Sequence, residues 1–387
     1  MPFRIRSFLA FIGALAFVAS GLFLLTYMAP ENVTPRGRAG SPTSTSAQTA
    51  LVQTSLEALA STPEPSAPMN TGAVEPTNET ARPSPEPDKT QTAAEAARIQ
   101  SPYPFPPEPI ETLNDHTRAA LVNILCTPED GLFKSVSGSG VIIDPRGVIL
   151  TNAHIAQYVL LSERPEMGLT CTVRAGAPAS ERWTAEVLFI PPVWVEAHAH
   201  EITMNRPMGT GEHDYALLLI SAAVDGTPLP SFPYLPIDTR EAIGFQDDRV
   251  LVASYPAEFL GSNSAQFNLY PVSSIAAIGR LFTFVERTVD LLSLGGIVEA
   301  QSGSSGGAVV NMWGRLIGLI ATTSEGDTTA TRDLRALTLS YIDRDITAQT
   351  QYSLPVILSG DVAAEALDFN TRVAPHLIDI YMQQLTH

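Results

Sequence analysis

Apolar positions fall into three regimes along the chain. Residues 8–28 form an uncharged apolar run of about twenty positions, long enough as a helix to span a bilayer. Residues 29–109 are rich in Pro, Ser, Thr, Ala and Glu, as in STPEPSAPMNTGAVEPTNETARPSPEPDKT, with few large apolar side chains. Too little surface could be buried there to offset the entropy of ordering, so this stretch reads as a disordered, proline-stiffened stalk. Beyond it, short β-branched runs alternate with Gly, Pro, Asp and Asn. They predict strands at 120–126, 140–143, 148–151, 170–174, 185–190, 215–220, 249–254, 308–311, 316–321 and 336–342, a density that suits a sandwich or paired barrels. Helical spacing at 361–370, opened by an Asp cap, and at 375–385, opened by a first-turn Pro, predicts two helices packing back on the strands.

The chain therefore divides into an N-terminal transmembrane anchor or signal peptide (1–28), a stalk (29–109), an all-β domain (110–346) and a C-terminal helical extension (347–387). Val18-Ala19-Ser20 loosely fits a cleavage site, but Gly21-Leu22-Phe23-Leu24-Leu25 carries the apolar run past it, which favours an uncleaved anchor. Arg4 and Arg6 argue for an inside amino terminus, against a weaker opposing signal from Arg36 and Arg38. The expected location is a membrane-anchored protein with its folded head outside the cytoplasm, or a secreted one if the segment is cleaved.

Composition narrows the functions. With 44% hydrophobic and 16% charged residues the chain can bury a sizeable core. Its 23 Lys plus Arg against 40 Asp plus Glu give a net charge of -17, which excludes a surface built to neutralise nucleic-acid phosphates. Two cysteines, Cys126 and Cys171, are too few for a disulfide scaffold and lack neighbours for a zinc site; one disulfide and two separate buried thiols both remain open.

Three short stretches carry candidate chemistry. Gly303-Ser304-Ser305-Gly306-Gly307 precedes a strand, and its glycines suit a turn in which backbone N–H groups point at a developing oxyanion beside a nucleophilic Ser305. Thr151-Asn152-Ala153-His154 ends a strand and begins a helical turn, so the His154 ring could be held as a general base. Asp214 directly precedes an apolar strand. Each alone has a plainer reading: a flexible turn, a structural histidine, an ordinary turn carboxylate. Their order, His then Asp then Ser, resembles the trypsin-like serine protease superfamily, particularly bacterial peptidases of the high-temperature-requirement type. The family's Thr-Ala/Asn-Ala/Asn-His, Asp-hydrophobic-Ala-Leu-Leu and Gly-x-Ser-Gly-Gly motifs fall on 151–154, 214–218 and 303–307.

That resemblance implies two six-stranded antiparallel Greek-key barrels with His154, Asp214 and Ser305 as a triad between them. It further implies an oxyanion hole from the backbone of Gly303 and Ser305, protein or peptide substrates, and no metal or organic cofactor. It would pair the first and fourth strands, placing Cys126 beside Cys171. Glu299 could lie at the base of the primary substrate pocket and favour Lys or Arg, a surface carboxylate being the plainer alternative, and Thr322 and Thr323 would line the pocket wall. Ser304 stands where trypsin has the Asp that pairs with a new amino terminus, so activation through that salt bridge is not expected. Residues 347–387 are too few for the peptide-binding domain that high-temperature-requirement proteases usually append. His198, His200 and His213 read as an exposed polar loop rather than a metal site. The alternative function is a catalytically silent protease-like module that binds peptides or tethers partners at a surface; that role would need neither triad nor oxyanion glycine.

Overall fold

The computed structural model describes residues 101–385 apart from 130–132, 205–208, 242, 259–266, 285–287 and 324–327. The anchor expected at 1–28 and most of the expected stalk lie outside the described residues. Among those described, no helix is long and apolar enough to cross a membrane. The last residues of the Pro-rich segment are tied down: the Tyr103 hydroxyl meets Asp238, the Trp313 indole donates to the Phe105 carbonyl at 3.0 Å, and the Glu108 amide donates to the Met312 carbonyl at 2.8 Å. Aromatic stacking of Tyr103 with Phe105 supplies there the apolar contact that Pro and Glu cannot.

Six strands, β1 (Leu121–Pro128), β2 (Val136–Asp144), β3 (Val148–Thr151), β4 (Leu169–Ala175), β5 (Ser180–Phe189) and β6 (Ala216–Ala223), close into a barrel in the order β1-β2-β3-β6-β5-β4. The β3 and β6 sequences run apolar without alternation because both their faces are covered. Helix α2 (Ala153–Ser162) packs outside the barrel and α6 (Val362–Arg372) lies along β5. In the β1–β4 ladder Cys126 is directly opposite Cys171, and the two form a disulfide. This bond closes a 45-residue separation. Replacing both cysteines with Ser is therefore expected to lower the unfolding free energy by about 4 kcal/mol, read as a lower denaturant midpoint with a larger m-value, since the uncrosslinked denatured chain exposes more surface.

The second sheet corrects the expectation of a second closed six-stranded barrel. Strands β7 (Arg249–Ser254), β8 (Val272–Ala277), β9 (Leu281–Phe282), β10 (Leu291–Gly295), β11 (Ala308–Asn311), β12 (Leu316–Thr323) and β13 (Leu334–Thr338) form one seven-stranded sheet, ordered β8-β7-β11-β12-β13-β10-β9. Its two edge strands are consecutive in the chain, joined by residues 278–280. Along that connection Ile278 N donates to Asp248 O at 3.0 Å and Gly279 N to Ser293 O at 2.7 Å. The sheet thus curls until its edges meet through chain continuity instead of a ladder, because β9 holds only two residues.

Helices fill the remainder: α1 (Ile110–Ala120), α3 (Pro192–His198), α4 (Leu339–Thr350), α5 (Leu354–Ser359) and α7 (Ala374–Leu385). The strand expected at 336–342 ends at Thr338, whose hydroxyl caps α4 by accepting from the Tyr341 amide at 3.1 Å; that cap outweighs the β-like alternation of Leu-Thr-Leu-Ser-Tyr-Ile. Residue 346 falls inside α4. The two C-terminal helices occur where spacing placed them, and Asp361 caps the first by accepting from the amides of Ala363 and Ala364.

Candidate active site

Helix α2 begins where β3 ends, and His154 is its second residue. The first amides of a helix have no partner within it. Asn152, at the cap position, makes no side-chain cap bond; its Nδ2 instead donates to the Asp214 carbonyl at 2.7 Å. The capping falls to Asp214, whose Oδ1 accepts from the His154 amide at 3.0 Å while its Oδ2 lies 2.7 Å from His154 Nδ1. One buried carboxylate therefore fixes both the backbone and the ring of the same histidine. Burial alone would lower the His154 pKa, but the Asp214 charge and hydrogen bond outweigh it and hold the imidazole above its ordinary value.

The turn bearing Asp214 is gripped on both sides by α4. His213, in a left-handed conformation (φ 58°), places Nδ1 at 2.9 Å from Asp345 Oδ2 and donates its amide to the Tyr341 hydroxyl at 3.0 Å. The Tyr215 hydroxyl donates to the same Asp345 oxygen at 2.8 Å, as does Gln349 Nε2. The hydrogen bond that His213 donates to Asp345 raises the His213 pKa against the effect of burial. His213 is thus not part of an exposed polar loop as expected: it is half-buried and engaged. His198 meets Glu201 instead, at 3.3 Å. No group of three His, Cys, Asp or Glu side chains among the described residues is placed to hold a metal ion.

Ser305 stands in the turn before β11, half-buried, on the second sheet. Its carbonyl accepts from the Ser139 amide of β2 at 2.7 Å, and the Thr151 hydroxyl donates to the Ser139 carbonyl at 2.8 Å. The Ser305 turn is therefore fastened to the barrel edge from which Thr151 leads into His154. Gly306 (φ 84°) has no room for a side chain, since a Cβ there would lie 2.0 Å from the Ser139 oxygen. Gly303 (φ 92°) is also confined: a Cβ there would lie 2.8 Å from both Ala257 N and Tyr255 O.

Within 301–307, the amides of Gln301, Ser302, Ser304, Gly306 and Gly307 all have acceptors. Those of Gly303 and Ser305 donate to no group among the described residues. Their direction follows from peptide planarity, which sets N–H and C=O antiparallel. The Ser302 carbonyl is held by the Ala257 amide at 2.8 Å and the Ser304 carbonyl by the Gly307 amide at 2.9 Å, so the Gly303 and Ser305 N–H groups point the other way. Ser139 completes the frame: its hydroxyl donates to the Gly303 carbonyl and accepts from the Tyr255 amide, both at 2.8 Å.

Glu299 is fully buried, not a surface carboxylate. Neither carboxylate oxygen has a hydrogen-bond partner among the described residues; the Ser274 hydroxyl lies near enough to favour the charge without reaching bonding geometry. Burial pushes its pKa up. Thr322 and Thr323 end β12, their backbones opposite Arg335 and Leu334. Ser304, buried, receives a hydrogen bond from the Ser254 hydroxyl at 2.9 Å. Sequence reasoning passed over Asn152, Ser139 and Asp345. Asn152 sits inside the quoted histidine motif, so its proximity was a signal; Ser139 lies in β2, outside all three motifs. Asp345, on a distant helix, left none.

Residues 138–319 match the family model described as a trypsin-like peptidase domain. No curated protein matches the chain.

Proposed function

Because the two-sheet domain of this chain belongs to the trypsin-like serine protease superfamily, we propose that it is a serine endopeptidase using His154, Asp214 and Ser305 as its triad. The observation that carries this reading is the pair of idle amides, Gly303 and Ser305, aimed by their pinned carbonyls beside a serine whose turn is fastened to the His154–Asp214 barrel. A module that only bound peptides would have no use for two uncommitted donors confined by glycines that tolerate no side chain.

In the proposed mechanism Ser305 Oγ attacks the scissile carbonyl carbon as His154 takes the hydroxyl proton. The carbonyl oxygen becomes an oxyanion held by the Gly303 and Ser305 amides, each contributing about 3 kcal/mol. Collapse of the tetrahedral species breaks the C–N bond, and His154 gives its proton to the departing amine. Water, activated by the same imidazole, then hydrolyses the acyl-enzyme. Asp214 fixes the ring tautomer and stabilises the imidazolium. The test is a fluorophosphonate probe on the purified head: covalent phosphonylation at Ser305, located by peptide mass, is the expected result, and a folded protein that takes no label would overturn the reading.

The substrates we propose are extracytoplasmic proteins. The uncharged run at 8–28 and the Cys126–Cys171 bond support export and tethering, since disulfides persist in oxidising compartments. For the primary pocket we propose Glu299 as its base, walled in part by Thr322 and Thr323, and a preference for Lys or Arg. A buried carboxylate without a hydrogen-bond partner is favourably ionised only when a cation joins it. Glu299→Gln should cut kcat/KM for Lys and Arg substrates by about 10²-fold while sparing neutral ones. Because burial raises this carboxyl's pKa, the wild-type preference should fade as pH drops through a value above the ordinary carboxylate range. Competing fluorogenic peptides that differ only at the residue before the cut would measure both effects.

A further inference from the structure

Ser302, the residue before Gly303, is gripped at both of its polar backbone atoms by two consecutive residues of the β7–β8 connection. Ala257 N donates to its carbonyl at 2.8 Å, and Glu258 Oε2 accepts from its amide at 3.0 Å. Glu258 is in turn held by a forked pair of bonds from Arg332: Nη1 to Oε2 at 2.6 Å and Nη2 to Oε1 at 2.9 Å. Arg332 Nη1 also donates to the Ala300 carbonyl at 3.1 Å. The Arg332 side chain is 16% exposed and that of Glu258 27%. Three segments distant in sequence, at 257–258, 300–302 and 332, thereby meet at the entrance to the turn that carries the two idle amides.

We propose that Glu258 and Arg332 are a positioning pair for the oxyanion hole. The proposal rests on the peptidase reading above and deepens it. If the Ser302–Gly303 peptide rotates, the Gly303 N–H turns away from the site; among the described residues, the hydrogen bonds to Ser302, the Ser139 bond to the Gly303 carbonyl and the confinement of Gly303 resist that rotation. Ala257 supplies one restraint directly; Glu258 supplies the other, and the Arg332 fork keeps its carboxylate in the one orientation that accepts from Ser302 N. Planar, two-point pairing of guanidinium and carboxylate gives the directional hold that a single charge would not. A partly exposed ion pair contributes little to global stability, so its worth here lies in alignment. The arrangement also offers a reason why Ser304 can stand where trypsin has its activating Asp: the turn is braced from the outer side by residues of the chain itself, with no new amino terminus required.

The experiment compares wild type with Glu258→Ala and Arg332→Lys, the latter keeping the charge but losing the fork. It measures peptide hydrolysis, affinity for a peptide boronic acid whose tetrahedral oxygen occupies the oxyanion hole, and the downfield Nδ1 proton resonance of His154. Glu258→Ala should lose about 10–100-fold in kcat, short of the full cost of deleting a donor, with KM within about threefold because ground-state binding does not use the hole. Boronate affinity should fall in proportion to kcat, and the His154 resonance should stay in place. Arg332→Lys should show the same pattern more weakly and carries the test if Glu258→Ala does not fold. Both variants within twofold of wild type, or a loss confined to KM, would overturn the positioning role while leaving the peptidase reading intact. A wild type that neither hydrolyses peptides nor takes phosphonate at Ser305 would instead sink that reading, and the pair's role with it.

Discussion

Ser305→Ala is expected to reduce peptide hydrolysis by about 10⁶-fold, the loss seen when a triad nucleophile is removed from a serine protease. The magnitude follows from the chemistry of the turn. The adjacent hydroxyl cannot substitute, because Ser304 is buried and occupied by Ser254. The amides of Gly303 and Ser305 survive the substitution, so a residual rate above that of water should remain. Stability should scarcely change, because the hydroxyl forms no hydrogen bond among the described residues, whereas the Ser305 carbonyl that ties the turn to Ser139 is retained. Active-site titration and thermal unfolding of the same preparation check both halves. A variant that hydrolyses within tenfold of wild type would remove Ser305 from the reaction.

The second large effect belongs to Asp214→Asn, for which a fall of about 10⁴-fold in kcat is expected. Asn can still accept from the His154 amide through one oxygen, so α2 keeps a cap. It cannot present a charged acceptor to Nδ1, and the imidazole loses the group that selects its tautomer. The pH profile gives an independent readout. In wild type the Asp214 charge and hydrogen bond raise the His154 pKa, and hydrolysis needs the neutral ring. The acid limb of kcat/KM should therefore rise at a pH above the ordinary histidine value of about 6.5. With the charge gone, the burial that lowers the pKa acts unopposed, and the residual activity should rise at lower pH than in wild type. A limb that moves upward, or does not move, would show that Asp214 does not set the charge state of His154.

Much of this architecture was legible in the residues. Strands β3, β7 and β11 begin and end where the apolar runs do, since each is bounded by residues with strong turn chemistry. Asp361 announced its helix through the same cap that holds it. What escaped detection shares a physical cause. Strand β8, Val-Ser-Ser-Ile-Ala-Ala, is made of small and polar residues whose strand state comes from pairing with β7, and pairing between segments distant in sequence leaves no local period. Helix α1 shows only Leu113, Thr117 and Ala120 to the interior, too thin a stripe to stand out. At the site, motifs placed His154, Asp214 and Ser305, but not the groups that restrain them. Asp345, Glu258 and Arg332 act by position alone, and ordinary charged side chains in ordinary contexts carry no mark of the contacts they will make.

The grip of α4 on the Asp214 turn also bears on the order in which the protein can mature. Asp345 lies 132 positions beyond His213 and 130 beyond Tyr215, the two residues it holds. Chains are synthesised from the amino terminus, and their early portions can begin to collapse before the rest exists. A nascent polypeptide could close its first barrel and even join its cysteines while the turn bearing the acid still lacked its outer restraint. Full alignment has to await synthesis of Asp345 itself, by which time the first barrel and its disulfide have had the chance to form.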